Sequence, residues 1–92
     1  MNELENLRAR IDAIDKELIA VFEKRMATVH DIAKYKIANN LPILNQGREE
    51  AIISKVSESI KNKEYTDSAI DFIKDIMNIS KKYQEKLILE QK

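Results

Sequence analysis

The stretch "ELENLRARIDAIDKELIAVFEKRMATVHDIAKYKIA", Glu3 to about Ala38, contains neither Gly nor Pro. Leu4, Leu7, Ile11, Ile14, Leu18 and Val21 step along it by threes and fours, the spacing of one helix face. Phe22, Val29 and Ile32 carry the stripe on. The reading is a single long helix. At about 1.5 Å per residue it spans roughly 54 Å. A compact chain of this length has a diameter of only about 30 Å. Roughly half of the helix must therefore project beyond its own globule with its apolar stripe uncovered. A second copy of the chain is the simplest cover, which predicts a two-fold dimer with intertwined long helices. The alternative is a break in the helix and an ordinary monomeric bundle, but no residue between Leu4 and Ile37 supplies one.

The chain's only Pro and only Gly lie just beyond, in "NNLPILNQGREE", Asn39–Glu50. Asn disfavours helix interiors, and Pro42 pushes Leu41 out of the helical region. Asn45 is placed to cap a second helix whose apolar face is Ile52, Ile53, Val56 and Ile60. "KNKEY" reads as a polar turn. Thr66 or Asp67 then caps a third helix, with Ile70, Ile73, Ile76, Met77, Tyr83, Leu87 and Ile88 facing inward. No strand signal, repeat or low-complexity linker appears. The expectation is an all-α fold: three helices per chain in one domain over residues 1–92, in an intertwined homodimeric bundle.

Composition narrows the function. Of the 92 residues, 43% are apolar and 35% are charged, which suits a folded helical protein rather than a disordered one. The 16 basic and 16 acidic side chains cancel, which argues against nucleic acid as a partner and against a four-helix DNA-binding domain. With no Cys and one His, neither thiolate chemistry nor a zinc site is expected, and no cofactor is implied. The N-terminus lacks an apolar signal core, and no apolar run approaches the roughly 20 residues that span a bilayer. The expected location is the cytoplasm, away from membranes.

The informative positions are polar ones where the pattern demands apolar. Arg25 interrupts the series Leu4, Ile11, Leu18, Arg25, Ile32, and Lys36 ends Phe22, Val29, Lys36. Glu49 heads the apolar face of the second helix, with Arg48 beside it. Ser80 falls between Ile73 and Leu87, and Gln84 follows Met77 by seven. Singly, each has an ordinary explanation. An Arg on a stripe snorkels to solvent, a core Ser bonds back to its own backbone, and charges near helix ends complement the dipole. Together they mean more, because burying ionic groups costs several kcal/mol each unless partners are supplied. The common explanation is a cation-rich polar cavity with one carboxylate and one amide. Arg25, Lys36 and Arg48 suit a small dicarboxylate. No nucleophile with an adjacent base is visible, and His30 reads as peripheral. Any chemistry should need only positioning and fixed charge.

These residues, in this order, resemble the all-helical chorismate mutases, which rearrange chorismate to prephenate in phenylalanine and tyrosine biosynthesis. The resemblance covers nearly the whole chain: "LRARIDAIDKELIAVFEKR", "AKYKI", "LPILNQGRE" and "SKKYQ". It implies an intertwined three-helix dimer with two equivalent sites and chorismate as the small-molecule partner. It implies that Arg25 and Arg48 hold substrate carboxylates and that Arg8 reaches the site from the partner chain. Spacing agrees on the last point: Arg8 and Arg25 lie about 25 Å apart along one helix. By the same resemblance, Lys36 and Gln84 donate to the ether oxygen whose bond breaks, and Glu49 accepts from the ring hydroxyl. Ser80 contacts a carboxylate or hydroxyl region. Lys36, Gln84 and Arg25 are thus the expected catalytic residues. The sequence departs from the family at Asn45, where many members have an acid near the substrate hydroxyl. Two rivals remain: an isochorismate pyruvate lyase of the same fold, and a helical dimerisation module without activity.

Overall fold

The computed structural model describes residues 2–90. It contains α1 (Glu3–Ala38), α2 (Gln46–Ser59) and α3 (Thr66–Glu90), with a short 3-10 turn, Lys63–Tyr65, leading into α3. α1 runs without a break. Its first turn is closed by Asn2, whose side-chain oxygen accepts from the Glu5 amide at 2.8 Å. Glu3 and Glu5 sit at the positive end of the helix dipole and Lys36 at the negative end. α1 stops at the Asn pair: Asn40 takes the left-handed conformation (φ 54°), and Asn39 folds its side chain back onto the Tyr35 carbonyl.

The molecule is elongated, 55 × 27 × 15 Å. α3 is the central element and packs against both α1 and α2, whereas α1 and α2 have no close backbone approach to each other. The space between them is therefore bounded by α3 and by the Asn39–Asn45 connection. Val29 and Ala33 on α1 and Met77 on α3 form the small buried apolar core. On α1 it is confined to the C-terminal half; residues 2–21 are all exposed. Leu4, Leu7, Ile11, Ile14 and Leu18 are 41–55% exposed, so the stripe on the free half of α1 has no cover within the chain. Among the described residues, no helix is long and apolar enough to cross a membrane.

Two local expectations need correction. Neither Thr66 nor Asp67 caps α3. The 3-10 turn runs straight into the helix, so Thr66 is already helical (φ −57°, ψ −50°), whereas a capping residue needs extended backbone. Capping moves upstream to Asn62, whose side chain accepts from the Glu64 amide at 3.0 Å. Thr66 Oγ1 is left buried and without a hydrogen-bond partner. Ile60, expected on the apolar face of α2, lies just past its end as an extended C-terminal cap. Lys63 reaches back to the Ser57 carbonyl at 3.0 Å and satisfies one of the last acceptors of α2.

Candidate functional site

Arg25, Lys36, Asn45, Arg48, Glu49, Ser80 and Gln84 all line one cavity of about 300 Å³ between α1, α2 and α3. Val29, Ile32, Ile43, Ile52 and Met77 supply its apolar wall. The convergence follows from the helix periods. Arg25 and Lys36 are eleven residues apart, almost three whole turns, and so face the same way along α1. Ser80 and Gln84 are four apart on α3 and share its inward face. The connection after α1 returns the chain so that Asn45, Arg48 and Glu49, at the start of α2, close the remaining side.

The polar contacts form two linked groups. Arg25 Nη1 donates to Ser80 Oγ, and Ser80 Oγ donates in turn to the Ile76 carbonyl at 2.9 Å. Ser80 does bond back to its own helix, as a core Ser is expected to, and holds a guanidinium at the same time. Burial lowers the Arg25 guanidinium from its ordinary value by desolvation, though such a group keeps its charge across the physiological range. Nearer the Asn39–Asn45 connection, Lys36 Nζ donates to the Ile43 carbonyl at 2.8 Å and to Gln84 Oε1 at 3.3 Å. Gln84 and Ser80 are buried; Arg25, Lys36 and Glu49 are half-buried. Asn45 and Arg48 are exposed, at the mouth. Asn45 caps α2 as expected, accepting from the Arg48 amide at 3.0 Å, so its side-chain oxygen is engaged and its NH2 remains available.

Sequence reasoning missed Lys81, which also lines the cavity and donates to Glu49 Oε1 at 3.2 Å. It lies beside Lys82 in a charge-rich helix, so periodicity gave it no mark. Arg8 is not brought to the cavity of its own chain. It stands on the exposed half of α1, outside the residues that line the site. His30 is peripheral to the cavity: its Nδ1 is 2.7 Å from Tyr83 Oη on a neighbouring part of the α1–α3 contact.

Chemically, the cavity offers four cations, of which Lys81 is paired with its one carboxylate, Glu49, and N–H donors on Lys36 and Gln84. Lys36 has one of its three N–H groups free, and Gln84, its oxygen turned to Lys36, has its NH2 free. Both residues line the same cavity.

Comparison with known proteins gives the same direction. The family model for chorismate mutase type II matches residues 7–85. The chain is 42% identical over 53 residues to the T-protein of Haemophilus influenzae, covering 58% of this chain and 14% of that protein. It is 38% identical over 56 residues to the bifunctional chorismate mutase/prephenate dehydratase of Buchnera aphidicola (subsp. Schizaphis graminum), covering 61% of this chain and again 14% of the relative. The matched part is thus about a seventh of the length of each of these curated relatives. The family match begins on the free half of α1 and runs through to the amide that backs Lys36, so the chain belongs to the chorismate mutase type II family.

Proposed function

We propose that the chain catalyses the rearrangement of chorismate to prephenate, a step toward phenylalanine and tyrosine, as a two-fold dimer. One observation carries the reading. Lys36 and Gln84, 48 residues apart in the sequence, are hydrogen-bonded to each other on the wall of a cavity that also holds Arg25 and Arg48.

The substrate is a dianion with two carboxylates, an ether oxygen and a ring hydroxyl. Arg25 and Arg48 present guanidinium forks suited to the carboxylates. Ser80 sets the direction of Arg25. The reaction breaks one C–O bond as one C–C bond forms, within a single molecule. No proton moves and no nucleophile is needed. What is needed is a folded enolpyruvyl arm and stabilisation of the negative charge that grows on the ether oxygen. Lys36 meets that charge with a full positive one, and Gln84 adds a neutral N–H beside it. The Ile43 carbonyl and Gln84 Oε1 hold the ammonium before substrate arrives, so little reorganisation is required at the moment of reaction. Glu49 accepts from the ring hydroxyl, and the free Asn45 NH2 can donate to it.

The apolar face of α1 supports the dimer. Leu18, Ile19, Val21 and Phe22, with Phe72, Ile73 and Ile76 of α3, border an open apolar groove of about 300 Å³ beside the polar cavity. Arg25 lines both. A partner's α1 laid into this groove would cover the exposed stripe and carry its own Arg8 toward the site.

The test is direct. Wild-type protein should consume chorismate, followed by its absorbance, and sediment as a dimer. Lys36→Ala should abolish measurable turnover while the dimer persists. Unchanged chorismate absorbance with the wild type would instead favour a non-enzymatic helical module. Release of pyruvate from isochorismate at a higher rate than chorismate turnover would favour the lyase.

A further inference from the structure

Glu49 is not a free carboxylate. Its Oε1 accepts from Lys81 Nζ at 3.2 Å, and the two side chains are only 20% and 29% exposed. Among the described residues this is the one ion pair within 4 Å; Arg25, Lys36 and Arg48 form none. The partners come from different helices, Glu49 in the first turn of α2 and Lys81 on α3. Both line the polar cavity, and both also line a smaller cavity of about 230 Å³ with Gln46, Lys74 and Asn78. The pair, together with Met77, is therefore shared by the two spaces.

The electrostatics of the cavity make this pairing consequential. An unpinned Glu49, on a flexible stem beside three cations, would fold onto one of them and compete with the ligand's own carboxylates. Pinned by Lys81, it leaves Arg25, Lys36 and Arg48 open. Oε1 is held against the α3 wall and Oε2 is left to accept from a ligand. One of the three Lys81 N–H groups is engaged by Glu49.

We propose that Lys81 is a positioning residue: it tethers Glu49 so that the carboxylate stays off the ligand-binding cations and presents its second oxygen to a ligand hydroxyl. This rests on the reading of the cavity as a site for a hydroxylated dicarboxylate.

The experiment uses the full chain and two unreactive bicyclic dicarboxylates, one with a ring hydroxyl and one without, titrated by calorimetry. The wild type should prefer the hydroxylated ligand by about tenfold, the worth of one charge-assisted hydrogen bond. Lys81→Met keeps the apolar stem and removes the tether; the preference should fall to about twofold or less. Lys81→Arg should restore most of it. In a Glu49→Gln background, Lys81→Met should change the preference no further. An unchanged preference in Lys81→Met overturns the proposal. So does an equal loss for both ligands that persists in the Glu49→Gln background, because Lys81 would then act on the ligand itself. Ligand-free NMR supplies a second check. The Lys81 ammonium should be visible through slowed exchange with water and lost in Glu49→Gln; its absence from the wild-type spectrum also overturns the tether. Chorismate turnover is measured separately. A wild type that shows the hydroxyl preference without turnover removes the mutase reading and keeps the tether. A wild type that binds neither ligand removes both.

Discussion

Lys36 is the residue on which the proposed chemistry leans hardest. It is held by a carbonyl at 2.8 Å and an amide oxygen at 3.3 Å, with one N–H left over. Removing a preorganised donor of this kind costs about 10²- to 10³-fold in kcat. Lys36→Ala should lose at least that, with a smaller change in KM, because its contact strengthens only as charge develops on the ether oxygen. Steady-state kinetics on chorismate separate the two parameters; a pure rise in KM would make Lys36 a carboxylate anchor instead. The rate should also be flat between about pH 6 and 8, because Gln84, proposed to meet the ether oxygen beside Lys36, has an amide that does not ionise. A steep rise toward acid would reveal a carboxyl at the ether oxygen. At this scale the sequence was readable wherever a polar residue broke an apolar period. Arg25, Lys36, Glu49, Ser80 and Gln84 all broke one, and all five line the cavity. Lys81 broke none. In a chain with 16 basic residues, a lysine off the stripe carries no signal until its partner on another helix is placed beside it.

Among the elements, the turn between α1 and α2 sets the distance between the two halves of the site. Its end points were legible: Asn45 caps α2, and the Asn39–Asn40 pair closes α1. The division of labour was not. Pro42 and Gly47 looked like the two breakers, yet the left-handed residue is Asn40, and Gly47 lies within the first turn of α2 without a positive φ. A Cβ at Gly47 would meet only Asn45 Oδ1, at 3.6 Å, an ordinary contact. Gly47→Ala should therefore stabilise the fold by about 0.5–1 kcal/mol, by restricting the unfolded chain and favouring the helix. Denaturant unfolding would show a higher midpoint at unchanged slope, with kcat unaltered. A loss of stability would mean that the helix start needs freedom at this position. The start of α3 shows the same limit from the other side. Thr66 has the composition of a cap, but the turn before it is already helical, and only the backbone path reveals that.

For the whole molecule, the decisive quantity is the mismatch between α1 and the globule it serves. The 55 Å long axis was implied by an uninterrupted helix, and the exposed stripe from Leu4 to Leu18 is its consequence. We propose that a second chain covers that stripe and takes up Arg8. If a partner's α1 covers the stripe, each site combines Lys36 of one protomer with Arg8 of the other. Arg8→Ala and Lys36→Ala should then each be nearly inactive alone. Unfolded together and refolded as a 1:1 mixture, they should regain activity. Random pairing makes about half of the dimers mixed. Each mixed dimer places an intact Arg8 opposite an intact Lys36 at one of its two sites, so recovery should approach about a quarter of wild-type turnover. If Arg8 acted within its own chain, every site in the mixture would lack one residue or the other, and no activity would return. Leu7→Lys with Ile14→Glu supplies the matching physical test, because charges along the stripe should yield monomers by sedimentation and abolish the recovery.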